Sequence, residues 1–212
     1  MEAYQESFDL AMQIGDRPLA AVAAFSLGNA HLGLRDLDEA ERWYSKSLEL
    51  RAEGDVLGRA ISLGQLGHVA LERLKEARKA KKPESELRRH LNEALRSHHH
   101  SLEMTPPDAI GQLAVVHNQL GWIHDEAGDL DRALHHYRES IRFEEVQGNL
   151  YGAAQTRYNV ALTLASAGRL PDAREYALAA LRNFQTYGAS AQKDIQDTLD
   201  LISKIAKAAG AG

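Results

Sequence analysis

Cysteine is absent from all 212 residues, which excludes a disulfide framework and thiolate chemistry and leaves His, Asp and Glu as the good metal ligands. Aromatic residues are sparse at 6%, and prolines number 5. No apolar run approaches the ~18 residues that a membrane-spanning helix needs. The opening stretch MEAYQESFDLAMQIGD has neither a basic leader nor an apolar core. These features predict a cytoplasmic chain without membrane contact. Positive charge is in deficit, with 25 Lys and Arg against 30 Asp and Glu and a formal net charge of −5. General polyanion binding is therefore disfavoured, while a local basic patch stays open. With 44% hydrophobic and 26% charged residues, the composition is that of a compact globular chain.

The most informative feature present is an internal repeat. LGNAHLGLRDLDEAERWYSKSLEL (27–50) and LGWIHDEAGDLDRALHHYRESIRF (120–143) superpose without a gap, and VALTLASAGRLPDAREYALAALRN (160–183) is a third copy. A fourth is split between LGHVALERL (66–74) and LNEALRSHHHSLEM (91–104). A small residue marks each unit, at Gly28, Gly67, Gly121 and Ala161, with spacings of 39, 54 and 40 residues. An Ala follows at 40, 94, 133 and 173, and then a small–large pair, from Ser47-Leu48 to Ala180-Leu181. Small side chains at fixed points let two helix backbones approach, and large ones fill the grooves between them. The pattern predicts antiparallel helix hairpins. Gly128-Asp129 and Gly168 fall at turns within hairpins, and Gly15-Asp16, Gly54-Asp55, Gly148-Asn149 and Gly188 fall where second helices end in a left-handed residue. All the prolines fall at joints as well.

The Leu-Gly pairs at 27–28, 66–67 and 120–121, the repeated Ala and the aromatic Tyr44 and Tyr137 resemble the tetratricopeptide repeat superfamily. The period near 40 departs from the usual ~34. The family's early Trp position holds Ala24, Leu63, His117 and Arg157, and its closing Pro is missing. The chain is thus similar to the longer-repeat variant of scaffold adaptors and of bacterial multidomain signalling and defence proteins. The resemblance implies an all-α, right-handed superhelix (α-solenoid) of antiparallel helix pairs. Residues 1–16 are expected to be the second helix of a truncated preceding repeat, the chain starting within an array. Four repeats follow at 17–55, 56–107, 108–149 and 150–189, and a capping helix and tail at 190–212, where Ile195, Leu199, Ile202 and Ala206 form one apolar face.

The long interval has its own logic. Fifteen extra residues inside a hairpin add about seven to each helix, two whole turns or roughly 10 Å, which preserves the buried faces. Pro83-Glu84-Ser85-Glu86 becomes the tip of this extension, about 74–90, and suits a helix start. The extension carries seven Lys or Arg, among them Lys75, Arg78, Lys79, Lys81 and Lys82, with three Glu. It reads as a solvated charged face with little core to bury, or as a contact for nucleic acid or an acidic partner. No aromatic residue in it stands ready to stack on a base.

Catalytic and metal signatures are lacking. Ten histidines include a run at 98–100 and the pair His135-His136, yet consecutive helical residues point about 100° apart and cannot converge on one ion. His98 aligns with Tyr44 and Tyr137 and is expected to be a core substitute, with His99 and His100 exposed. No G-x-S-x-G, P-loop or G-x-G-x-x-G occurs. No enzyme, cofactor or metal site is predicted. In the family, the residues three before and one after each marker face the concave channel. Here they are Phe25, Asn29, Gly64, His68, Asn118, Trp122, Tyr158 and Leu162, joined a turn later by Leu32, Leu71, Asp125 and Glu126. Aromatic and Asn side chains suit an extended peptide backbone. The expected function is a non-catalytic scaffold for a protein or peptide ligand, the sensor or adaptor module of a larger signalling protein that also contacts other domains of its own chain. The alternatives are binding of nucleic acid or an acidic partner through 74–90, and allosteric sensing of a small ligand or signalling peptide.

Overall fold

A computed structural model describes residues 1–210; the end of the predicted 190–212 element, residues 211–212, lies outside the described residues. Ten α-helices and no strand occur among the described residues, so the all-α expectation holds. The chain forms two compact units, one from Met1 to Ala109 and one from Ile110 onward. The first contains α1 (Glu2–Gln13), α2 (Arg17–Gly33), α3 (Leu37–Leu50), α4 (Val56–Lys79) and α5 (Glu84–Met104). The second contains α6 (Ile110–Glu126), α7 (Leu130–Val146), α8 (Leu150–Ser166), α9 (Leu170–Gln185), a 3-10 turn (Gly188–Ala191) and α10 (Gln192–Gly210). Within each unit every helix packs on the next, most closely in the pairs α2–α3, α4–α5, α6–α7 and α8–α9. No helix among the described residues is long and apolar enough to cross a membrane.

The Gly-Asp and Gly-Asn dipeptides do two jobs at once. Gly15, Gly128 and Gly148 adopt φ of 76°, 76° and 74°, which closes the preceding helix. At the first hairpin turn of the second unit, the Asp129 N–H returns to the His124 carbonyl at 2.9 Å. The residue after each glycine then caps the next helix. The side chains of Asp16, Asp129 and Asn149 accept the N–H of Leu19, Arg132 and Gly152 at 3.0, 3.2 and 3.0 Å. Two turns use a bulkier residue for the same conformation, Arg35 (φ 61°) and Lys81 (φ 52°). Gly54 is not left-handed, contrary to expectation. Helix α3 ends instead on Arg51 in extended backbone, and the Arg51 guanidinium ties the joint by bonding Asp55 at 2.5 Å and Ser62 at 3.2 Å.

The core of each hairpin is a notch and a knob. A Cβ on Gly28 would stand 2.6 Å from the Tyr44 ring, on Gly67 2.6 Å from the His98 ring, and on Gly121 2.5 Å from the Tyr137 ring. In α8–α9 both positions are small, and Ala161 and Ala177 are fully buried. The Tyr44 hydroxyl exits the notch to donate to Asn29 at 2.7 Å. The recurring Ser contributes more than small size: Ser47 donates to the Ala21 carbonyl at 2.8 Å and Ser101 to the Ala60 carbonyl at 2.7 Å, seven residues before the marker in each case.

Helix α4 runs 24 residues and α5 21, against 17 for α2 and 14 for α3, which is the added length the spacing predicts. The extension has more core than expected. Leu74 and Ala77 on α4 and His90 on α5 are buried, so the seam that begins at Gly67 and Ala70 continues outward at a spacing of four and three residues. Only the outer face is solvated.

Two outcomes follow from this packing. Gly121→Ala should cost about 1–3 kcal/mol through overpacking, and clearly less in a Tyr137→Ala background, as read by urea denaturation; equal costs in the two backgrounds would refute the notch. Replacing 74–90 with Gly-Asp, the turn at 128–129, should restore the 12-residue Gly-to-Ala interval and leave a helical chain whose Tm shifts by only a few degrees. Loss of cooperative melting would show that the long hairpin is needed for folding.

Candidate functional site

The second unit contains a cleft of about 400 Å³, lined from α6 by Val115, Asn118 and Gln119, from α8 by Gly152, Gln155, Thr156, Tyr158 and Asn159, and from α10 by Asp194 and Asp197. Glu144 at the end of α7 and Phe184 at the end of α9 complete it. The helices contribute with a regular register: Val115 and Gln155 lie six before their markers, Asn118 and Tyr158 three, Gln119 and Asn159 two. Helix α10 packs on α9 and touches α8 as the first helix of a further repeat would, and that position brings its acidic edge into the cleft. Side-chain bonds set the helices against one another. Asn118 donates to the Thr156 hydroxyl at 2.5 Å, Thr163 donates to Asp125 at 2.7 Å, and the Tyr151 hydroxyl donates to Asp194 at 2.6 Å.

The electrostatics are one-sided. Glu144, Asp194 and Asp197 line the cleft, and no Lys or Arg does so among the described residues. Tyr158, half-buried against the cluster of Ala154, Ala180, Phe184 and Ala191, has its phenol pKa raised, first by burial and then by the charges of Asp197, Asp194 and Asp200. Glu144 is only 8% exposed, and its Oε2 accepts from the side-chain amides of Gln147 at 2.8 Å and Asn149 at 2.6 Å.

Of the residues named from the sequence, Asn118 and Tyr158 meet in this cleft, while Trp122, Asp125 and Glu126 do not line it. Trp122 packs against the core around Ala133 and Tyr137. Asp125 is committed to Thr163. In the first unit, Phe25 lies against the Tyr44 ring at 5.6 Å, Asn29 holds the Tyr44 hydroxyl, and His68 is half-buried, its pKa lowered first by burial. Leu71 is buried rather than facing a channel. The sequence reading missed Val115, Gln119, Gln155 and Asn159, whose signal was the repeated six-and-two offset. It also missed Glu144, Asp194 and Asp197, which no repeat offset marks.

The basic stretch of the first unit is interleaved with carboxylates. Lys75 pairs with Glu72 at 2.6 Å, Lys82 with Glu86 at 4.0 Å, Arg88 with Glu84 at 3.0 Å and Arg89 with Glu93 at 3.6 Å. Arg78, Lys79 and Lys81 are exposed. Such exposed pairs contribute about 0–1 kcal/mol each, and the seven Lys or Arg of 74–90 still outnumber its three Glu.

Histidines are concentrated in the interior. His98 fills the Gly67 notch, as its alignment with Tyr44 predicts, and neither ring nitrogen has a hydrogen-bond partner among the described residues. His99 is half-buried rather than exposed; His100 is exposed. His117, His124 and His136 form a buried group that the sequence did not announce, with His117 and His136 Nδ1 atoms 3.0 Å apart and the rings of His124 and His136 stacked at 5.3 Å. Among the described residues no three His, Asp or Glu side chains are placed to hold a metal ion.

The tetratricopeptide repeat family model matches residues 2–55 and 118–187. The unmatched stretch between them contains the long α4–α5 hairpin. Among solved structures, BtubC (BKLC) from P. vanneervenii superposes with a TM-score of 0.79 at 15% identity, covering 99% of this chain and 82% of that one. The apo form of the quorum sensor NprR from B. thuringiensis aligns with a TM-score of 0.44 at 15% identity, over 96% of this chain and 65% of that one. No curated protein sequence matches the chain.

Burial lowers the His98 pKa from 6.5 to about 4, with the charges of His68 and His99 acting the same way. The unfolded chain therefore takes up this proton more readily than the folded one. The stabilisation that a neutral His98 permits is complete above about pH 6.5 and is lost as the pH falls toward about 4. His98→Phe fits a notch that accepts a Tyr ring elsewhere and carries no proton. Its urea midpoint should fall less than the parent's between those pH values; parallel curves would mean that His98 does not titrate on unfolding.

Proposed function

The chain belongs to the tetratricopeptide repeat family, and from that premise we propose that it is a non-catalytic scaffold that grips an extended segment of a partner protein in the cleft formed by α6, α8 and α10. The family's fold is that of a protein-binding scaffold; the site and the form of the ligand are the proposal. The observation that carries it is the set of four carboxamides, Asn118, Gln119, Gln155 and Asn159, on two neighbouring helices around Tyr158. Each carboxamide offers both a donor and an acceptor. An extended peptide presents N–H and C=O groups in alternation and needs such partners when water is displaced. Asn118 has one amide hydrogen committed to Thr156, which fixes the orientation of its remaining groups. At about 400 Å³, the cleft is large enough for a side chain or two of the segment, and Tyr158 supplies an aromatic wall at low entropic cost.

The scaffold reading accords with a sensor or adaptor module in the cytoplasm, joined to other domains whose segments are candidate ligands. Selection from a random-peptide display library on the full chain tests it. The recovered peptides should lose about thirtyfold in affinity with Tyr158→Ala, the cost of removing a central aromatic anchor. They should lose about fivefold or more with Asn159→Ala, as for one neutral hydrogen bond. Reversal of Lys79, Lys81 and Lys82 to Glu should leave them unaffected. Normal binding by both cleft variants, with loss in the hairpin variant, would overturn the assignment and make the basic extension the site.

A further inference from the structure

Glu144 is an unusual wall for a peptide cleft. It is only 8% exposed, yet it lines the opening between α6 and α8. Both of its hydrogen bonds, from Gln147 and Asn149, end on the one oxygen Oε2. Neutral amides at that oxygen orient a carboxylate without neutralising it, and a carboxylate has room for about four hydrogen bonds. A buried carboxylate without a cation carries a desolvation cost, and no Lys or Arg lines the cleft among the described residues. Gly152 keeps the approach open, because a Cβ there would come within 2.6 Å of Glu144 Oε2. Gly152 is in the first turn of α8, and the lack of a side chain there leaves room beside the carboxylate.

The mouth continues the pattern. Asp194 and Asp197 stand on the α10 side, Asp197 exposed, and Tyr158 and Phe184 are the aromatic residues of the lining. Burial raises the Tyr158 phenol pKa, and the charges of Asp197, Asp194 and Asp200 on α10 act in the same direction. A side chain suited to this path has an apolar stem, a flat cationic head and several donors.

We propose that the cleft selects a partner segment by one arginine, whose guanidinium reaches Glu144 past Tyr158 while Asp194 and Asp197 attract it at the mouth. This rests on the peptide-cleft reading above. Arginine is favoured over lysine because its planar fork donates in pairs to a carboxylate, and its face stacks on an aromatic ring. Its approach is steered by the acidic mouth, so association slows as salt rises.

The probes are the random-peptide library and the strongest peptide recovered from it with the full chain. Selection should enrich arginine at one position. Replacing that arginine by citrulline, which keeps the shape and removes the charge, should weaken binding tenfold or more on the parent. The same replacement should cost under threefold on Glu144→Gln, and Asp197→Asn, at an exposed site, should weaken the arginine peptide and flatten its salt dependence. Helical circular dichroism and melting of Glu144→Gln report whether the Asn149 and Gln147 bonds survive. Should that variant fail to fold, Asp197→Asn and the citrulline peptide on the parent decide alone. Peptides that need Tyr158 but lack a basic residue, or that tolerate citrulline, overturn the arginine assignment and leave the peptide cleft standing. Failure to recover any peptide that discriminates the parent from Tyr158→Ala overturns both.

Discussion

A glycine on one helix receives an aromatic ring from the next, at Gly28 with Tyr44, Gly67 with His98 and Gly121 with Tyr137, each so closely that a single methyl group would lie 2.5–2.6 Å from the ring. Close approach of two backbones is what allows the neighbouring Ser to reach a carbonyl across the hairpin, as Ser47 and Ser101 do. Buried hydroxyls are costly unless paired, so the bond and the notch depend on the same interaxial distance. Where the last hairpin replaces ring and glycine by Ala177 and Ala161, Leu201 and Ile205 of α10 join them in one buried cluster with Val160 and Leu164. The capping helix thereby becomes part of that hairpin's core.

This docking of α10 has a structural consequence that its amphipathic pattern alone does not state. A helix that only shielded the last repeat would keep its polar edge in bulk water. Because α10 takes the place of a further first helix, Asp194 and Asp197 face the same opening as Asn118 and Tyr158. The cleft joins carboxamides from the repeats to carboxylates from the cap and from the α7 end, where Glu144 also braces the joint to α8 through Asn149. One residue thus serves both the loop and the cleft lining.

The long hairpin and the histidines show how local rules and packing divide the information. Fifteen added residues keep the buried face in register because they amount to whole turns on each helix, and the lengths of α4 and α5 follow from that count. His98 was placed in the core by alignment with two tyrosines and sits there, although an imidazole cannot reach the partners a phenol finds. The depth of the extension's own core was not legible. Leu74, Ala77 and His90 are scattered among charges in the sequence, and only two helices laid side by side show that they share one seam. The buried group of His117, His124 and His136 was hidden for the same reason, since its members come from two helices and are 19 and 12 residues apart.

The sequence by itself determined the helical class, the pairing of neighbouring helices and the places where each turns. Those are consequences of short-range chemistry: a glycine that adopts positive φ, an Asp or Asn that caps the next helix, a small residue recurring where backbones touch. The family resemblance added Asn118 and Tyr158 as candidate channel residues, and both line the cleft of the second unit. The tertiary structure alone decided that Trp122 packs on the core rather than lining the cleft, and that Glu144 of α7 and the Asp194 and Asp197 pair of α10 line the same cleft. Rotation of a helix by the width of one side chain changes which neighbours share a surface, and that rotation is set by the whole packed array rather than by any local pattern.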